Sequence, residues 1–332
     1  MASRHPPLGG DAGSLSDVLA TVEPDARLVA EERLTSHVRR VTLTRGRRSS
    51  LIVKWVTRMT ARKTELLNSR WLPAAGLKDR GSPLLASAPG PGDSAWQVFE
   101  DLGDCALLPD RPEPGDLEVA THLVAQLHVA FAGHSLLREW IDEFGGLDER
   151  FYADWVRQAA RALEAIGTSS LSPDRLTLRD RLCRRVDALL AEEPGRTQRL
   201  QEADWPVTLL HGDLWPQNVL LSPHREGRRA RLIDWDQARV GPVVYDLSTF
   251  VYRLSSHVRV PVLRLYRRAV RTVGWDLPNP ADLNDAFETA EYARLASCLI
   301  SPAEAAGEGA DWAFEDLRAV DRWFAATRPV LS

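Results

Sequence analysis

The chain has 332 residues, 44% hydrophobic and 27% charged, an ordinary globular composition with room for one two-lobed enzyme or two small domains. Its formal charge of −4 and pI near 6.1 argue against a dedicated nucleic-acid binder, whose domain is usually basic. No apolar run reaches the length of a transmembrane helix and residues 1–7 lack the apolar core of a signal peptide. Cys105, Cys183 and Cys298 show no metal-ligand spacing, so the expectation is a cytoplasmic protein with reduced thiols and no membrane partner.

Residues 1–13, rich in Pro and Gly, are expected to form a disordered tail. Residues 15–22 read as a short helix. Strand-like runs follow at 26–33, 38–44 and 50–56, the last two separated by the turn Arg45-Gly46-Arg47-Arg48. The pattern predicts a helix over 62–72, stopped by Pro73, then a Pro/Gly-rich connection over 82–92 and a strand over 95–100. From Pro114 the pattern turns helical. Residues 117–131 carry Leu123, Leu127 and Ala130 on one face, and helices are also expected at 148–166, 176–191, 246–254, 260–273, 282–299 and 311–328. This order predicts an α+β chain, with a β-rich N-lobe over 14–102 and a larger, mainly helical C-lobe over 103–332. No internal repeat is visible.

One segment interrupts the helical half. His211-Gly212-Asp213-Leu214-Trp215-Pro216-Gln217-Asn218 is followed by Ile233-Asp234-Trp235-Asp236. Asp213, four intervening residues and Asn218 reproduce the Asp-to-Asn spacing of the protein-kinase catalytic loop. Phosphoryl transfer needs a carboxylate to orient the acceptor hydroxyl, and oxygen ligands to hold Mg²⁺ on the nucleotide phosphates. Asp213 suits the first role, Asn218 and Asp234 the second. His211 is read as an anchor of the loop backbone. Residues 219–222 and 230–233 read as two strands around a turn containing Pro223 and Gly227. A hairpin folded about Glu226 would pair Ser222 with Ala230 and bring Asn218 opposite Asp234. Each of these residues taken alone is more simply a turn or loop residue; the order and spacing together point to catalysis.

These motifs, with Gly241-Pro242-Val243-Val244-Tyr245-Asp246-Leu247, resemble the aminoglycoside phosphotransferase and choline kinase-like family of small-molecule kinases. Matching motifs run from about residue 28 to 254. The resemblance implies a bilobal protein-kinase-like fold and ATP, or in some members GTP, as phosphoryl donor. Only seven residues separate Asp234 from Pro242, leaving no room for a long activation segment and favouring a small-molecule kinase over a regulated protein kinase.

The same resemblance assigns roles in the N-lobe. Lys54, one of only three lysines, lies in the apolar strand Leu51-Ile52-Val53-Lys54-Trp55, and Glu65 follows on the predicted helix. A strand lysine held by a helix glutamate contacts the phosphates in kinase-like folds; Lys63 and Glu32 are the reserve candidates. Thr35 and Ser36, in the turn before the second strand, occupy the place of a phosphate-covering loop, although no glycine is present there. Phe99, Glu100 and Leu102 resemble the hinge that binds the nucleotide base.

The resemblance implies a small-molecule hydroxyl as acceptor. Asp236, Glu288 and Glu291 are candidates to meet it, against the plainer reading of helix-face carboxylates as solvated. An antibiotic or related natural product is the first reading, with a role in resistance or self-protection. The alternatives are a metabolic kinase for choline, homoserine or a fructosamine-like substrate, and a non-catalytic nucleotide-binding module. Monomer and homodimer both stay open.

Overall fold

The computed structural model describes residues 15–113, 115–168, 171–225 and 227–331, so the tail expected over 1–13 lies outside the described residues. In chain order the elements are α1 (Leu15–Val22), β1 (Arg27–Arg33), β2 (Val38–Thr44), β3 (Ser50–Thr57), α2 (Arg58–Leu66), α3 (Leu72–Ala74), β4 (Leu84–Pro89), β5 (Ser94–Glu100), α4 (Asp116–Phe131), α5 (Leu136–Phe144), α6 (Phe151–Glu164), α7 (Pro173–Glu202), β6 (Val207–Leu210), β7 (Val219–His224), β8 (Gly227–Leu232), β9 (Arg239–Pro242), α8 (Val244–Tyr252), α9 (Ser256–Arg271), α10 (Pro280–Gly307) and α11 (Ala313–Ala326). The architecture is the expected bilobal α+β fold, a small β-sheet N-lobe and a larger helical C-lobe, of protein-kinase-like type. By contacts the described residues form two compact units: those up to Ala130 join His211–Ala238, and Phe131–Leu210 joins those from Arg239 onward.

The first unit is built on a five-stranded antiparallel sheet in the order β1-β2-β3-β5-β4. Alternation along β3 sends Leu51 and Val53 into a core with Val41, Leu43, Trp96 and Val98, closed by Leu15, Val18 and Leu19 of α1. Each such side chain contributes about 1.5–3 kcal/mol when fully buried. The opposite face carries Ile52 and Lys54, paired with Arg40 and Val38 of β2. β3 runs straight into α2, whose first turn is capped by Thr57 accepting from the Thr60 N–H at 3.2 Å. The helical path passes through a π-helical turn (Leu67–Trp71) into α3 and ends at Ala74, one residue past Pro73. The 82–92 connection contains an unexpected strand, β4, on the sheet edge; Pro83 and Pro89 at its ends hide the strand pattern and are tolerated there.

The β7–β8 hairpin belongs to this unit, but its register is one residue off the expected one. Ser222 pairs with Arg229 and Leu221 with Ala230. His224 pairs with Gly227, which takes a φ of 119° that a side chain would resist; Glu226, about which the hairpin was expected to fold, lies outside the described residues. Asn218 therefore stands opposite Ile233, whose N–H donates to the Asn218 carbonyl at 2.9 Å. The segment after β5 is sewn to this hairpin: Leu107 N–H donates to the Val219 carbonyl at 2.8 Å and Leu221 N–H to the Cys105 carbonyl at 2.7 Å.

The second unit is helical, with α10 packed against α6, α8 and α11, and with β6 and β9 forming a two-stranded ladder. These strands have four residues each, too few to show a period. α7 and α10 outrun their expected ends at 191 and 299, carrying Pro194 and Pro302 inside. In α7 the extension is anchored by buried Arg196, which binds Glu192 at 2.7 Å, Thr289 at 3.0 Å and Glu288 at 3.2 Å; tertiary contacts outweigh the proline. Among the described residues no helix is long and apolar enough to cross a membrane.

Candidate active site

The segment 211–238 opens with buried His211, whose Nε2 donates to the Ile233 carbonyl at 2.8 Å while its ring lies 4.6 Å from that of Trp235. A carbonyl only accepts, so Nε2 carries the proton. Gly212 has φ of 82°, and a Cβ there would run into the Gln237 carbonyl; only glycine permits both the turn and the approach. The carbonyl of half-buried Asp213 accepts from the Trp215 N–H and from Asn218 Nδ2, both at 2.8 Å. The second bond fixes the Asn218 amide, with its NH₂ on the loop and its oxygen left as an acceptor.

Asp234 sits in the left-handed region, at φ 64° and ψ 58°, a conformation that costs a non-glycine residue about 1 kcal/mol or more. It leads into a 3-10 turn (Trp235–Gln237) held by Trp235 Nε1 donating to the Leu232 carbonyl at 3.0 Å. The strained residue and the turn aim two carboxylates at one ammonium. Lys54 Nζ lies 2.5 Å from Asp234 Oδ1 and 2.9 Å from Asp236 Oδ1. The lysine side chain is 10% exposed, the two aspartates 42% and 31%.

Burial alone would push the Lys54 ammonium down, but the charges of Asp234 and Asp236 outweigh it and raise its pKa above the ordinary lysine value. Burial pushes the two carboxyls up. At Asp234 the Lys54 charge and hydrogen bond win and hold it below the usual carboxylate range. At Asp236 burial and the neighbouring Asp234 charge win over Lys54, and its pKa is raised. The two aspartates are thus pushed apart by their shared surroundings.

The remaining residues singled out in the sequence fall in several places. Glu65 lies half-buried on α2, and among the described residues its side chain makes no ion pair. The lysine expected to pair with it pairs instead with Asp234 and Asp236, because the 235–237 turn packs against α2 and brings its carboxylates to the ammonium. Glu32 meets Arg40 at 3.3 Å. Thr35 Oγ1 accepts from the His37 and Val38 N–H groups at 3.2 and 3.1 Å, closing the β1–β2 turn, with Ser36 exposed at its tip. That turn reaches the lysine strand, since Trp55 N–H donates to the His37 carbonyl at 2.9 Å. Phe99 is buried on β5, Glu100 ends that strand opposite Leu51, and Leu102 lies in the segment beyond. In the other unit Glu291 is buried between Arg253 at 2.8 Å and Arg294 at 2.9 Å, and Glu288 holds Arg196.

One group escaped sequence reasoning. Arg40 binds both Asp101 and Asp104 beyond β5. Val38-Arg39-Arg40-Val41 offers two adjacent arginines with nothing to distinguish them until the strand register turns Arg40, and not Arg39, to the Lys54 face.

Residues 94–283, more than half of the chain, match the model of the phosphotransferase enzyme family. No curated protein sequence matches the chain. Among solved structures, an AMP-bound spectinomycin phosphotransferase aligns with a TM-score of 0.62 at 11% identity, covering 93% of this chain and 97% of that one. An aminoglycoside-3'-phosphotransferase of type VIII aligns at 0.51 and 22% identity, covering 84% and 98%. A choline kinase from Streptococcus pneumoniae aligns at 0.56 and 14% identity, covering 94% and 97%. At these identities the structures establish the fold, and the fold is common to proteins named for unlike substrates. The chain belongs to the phosphotransferase enzyme family, the small-molecule kinases of aminoglycoside phosphotransferase and choline kinase-like type.

Proposed function

We propose that this chain moves the γ-phosphoryl group of ATP to a hydroxyl of a small molecule, an antibiotic or related natural product being the first candidate. The observation that carries the reading is the meeting of Lys54, Asp234 and Asp236 beside a loop that Asn218 ties to Asp213. Asp213 orients the acceptor hydroxyl and receives its proton; Lys54 steadies the phosphates; His211 holds the loop to the strand that presents Asp234.

Magnesium fits this donor set. The Asn218 amide oxygen and the Asp234 carboxylate are hard oxygen ligands, and Mg²⁺ is commonly held by one or two carboxylates with substrate phosphates and waters completing the shell. Among the described residues no group of three or more His, Cys, Asp or Glu is arranged to hold a metal unaided. When bound, the ion neutralises charge on the phosphates.

The base is read as adenine, with GTP as the alternative. The antibiotic reading stands against a metabolic one, in which choline, homoserine or a fructosamine-like compound accepts the phosphate. The names of the similar structures divide between antibiotics and choline, so the acceptor has to be found by experiment. Wild type and Asp213→Asn are incubated with Mg-ATP and a panel of antibiotics, choline, homoserine and fructosyl-amines, and products are weighed by mass spectrometry. A product heavier by one phosphoryl group, made by wild type and lost in the variant, supports the reading and names the acceptor class. A chain that binds no nucleotide contradicts it.

A further inference from the structure

Between the sheet and the hairpin the chain crosses residues 101–104. On one side Glu100 is fixed, its N–H donating to the Pro83 carbonyl at 3.1 Å. On the other, Cys105 and Leu107 are hydrogen-bonded to β7. Among the described residues the backbone of 101–104 makes no hydrogen bond to the backbone of another strand or helix. Its restraint comes from side chains: Cys105 Sγ donates weakly to the Leu102 carbonyl at 3.5 Å, and the charged contacts all come from Arg40. Arg40 Nε donates to Asp101 Oδ2 at 2.9 Å, and its two terminal nitrogens grip Asp104 at 2.5 and 3.2 Å. Asp101 completes the arrangement by accepting from the Gly103 N–H at 2.9 Å, which sets the turn at φ 79°. The Asp101 side chain is 7% exposed, that of Asp104 83%. Register puts Arg40 on the sheet face of Lys54 and opposite Ile52.

We infer that Arg40 is a positioning residue for the nucleotide: its clamp on Asp101 and Asp104 fixes the backbone on both sides of Leu102, the residue that, with Phe99 and Glu100, the sequence offers as the hinge for the base. The inference rests on the nucleotide-dependent reading above. Its physical basis is preorganisation. Fixing the backbone of a free residue costs roughly 1–2 kcal/mol, and a segment already held by a forked, charge-assisted contact spares the nucleotide that cost on binding. A clamp of this kind acts on affinity and leaves the phosphoryl-transfer step alone.

The test is calorimetric titration with Mg-ADP and steady-state kinetics on wild type, Arg40→Gln, Arg40→Lys, Asp104→Asn and the double variant Arg40→Gln/Asp101→Asn. The double variant removes the buried Asp101 charge together with its partner and so guards against simple misfolding. Arg40→Gln and the double variant are expected to weaken nucleotide binding about tenfold, the scale of one charge-assisted hydrogen bond, with kcat retained. Arg40→Lys, which keeps the charge and loses the fork, should fall between them and wild type. Unchanged affinity in both the Arg40→Gln and the double variant, or a loss of kcat equal to the loss of affinity, overturns the inference. A wild type that binds no nucleotide removes the functional reading itself, a different result from a wild type that binds and variants that bind as well.

Discussion

Each compact unit holds a charge triad, and the two are opposite in composition. In one, a lysine meets two aspartates; in the other, a glutamate meets two arginines. The Asp234 and Asp236 carboxylates keep 42% and 31% of their surface, whereas Glu291 keeps 4% and its arginines 15% and 7%. The first triad includes a residue in the left-handed region and splits the titration of its two acids. The second holds its single acid below the usual range, with Arg294 and Arg253 outweighing burial. Strain, exposure and competing pKa shifts mark a site built to meet something else; a closed triad with its charges engaged among themselves is built to hold helices together.

The contrast predicts different consequences for isosteric changes, the largest at Asp213. Asp213→Asn should lower kcat by about 10²–10⁴, the usual contribution of a positioned acid or base, with the melting temperature and nucleotide affinity nearly unchanged. Asp234→Asn should cost about a hundredfold or more in kcat/KM, since it removes an oxygen ligand and a partner of Lys54. Both are read by coupled kinase assay once the acceptor is known.

Glu291→Gln should do the reverse. Removing one partner of a buried ionic cluster destabilises by about 3–5 kcal/mol. Activity per folded molecule should stay at the wild-type level. Equal losses of activity at Glu291 and Asp234, measured on protein shown to be folded by circular dichroism, would erase the distinction drawn between the triads.

A pH series sharpens it further. The folded-state pKa of Glu291 is below its unfolded value, so the unfolded chain binds the extra proton on acidification. The stabilisation is complete above about pH 5 and is lost as pH falls through the unfolded value, about 4.3, toward the lower folded one. In the other triad Asp234 behaves the same way, whereas the raised Asp236 disfavours the folded state once ionised and regains stability as it is protonated. The two slopes oppose each other. Thermal melting between pH 6 and pH 4 should therefore be flatter in Glu291→Gln than in wild type.

The sequence made the strands of the first unit legible because their alternation is strong: β2 was expected over the residues it occupies and β3 within one. β4, β6 and β9 were hidden by proline or by brevity. The order of Asp213, Asn218 and Asp234 was legible because it is a spacing along the chain. Its close geometry was not. The hairpin register depended on the pairing of His224 with Gly227, and the partner of Lys54 on how the 235–237 turn packs against α2. Nor could composition separate a carboxylate such as Glu291, closed between arginines, from one such as Asp236, which keeps a face to solvent, since both are acidic residues in mixed surroundings.

The central claim is that the Lys54–Asp234–Asp236 cluster receives nucleotide phosphates while the Arg253–Glu291–Arg294 cluster does not. Calorimetric titration of Mg-ATP into wild type, Lys54→Met and Glu291→Gln tests it directly. The account predicts binding by wild type and Glu291→Gln with similar affinity, and a loss of about tenfold or more in Lys54→Met, the scale of a hydrogen bond to a charged group. Wild-type affinity in folded Lys54→Met would contradict it.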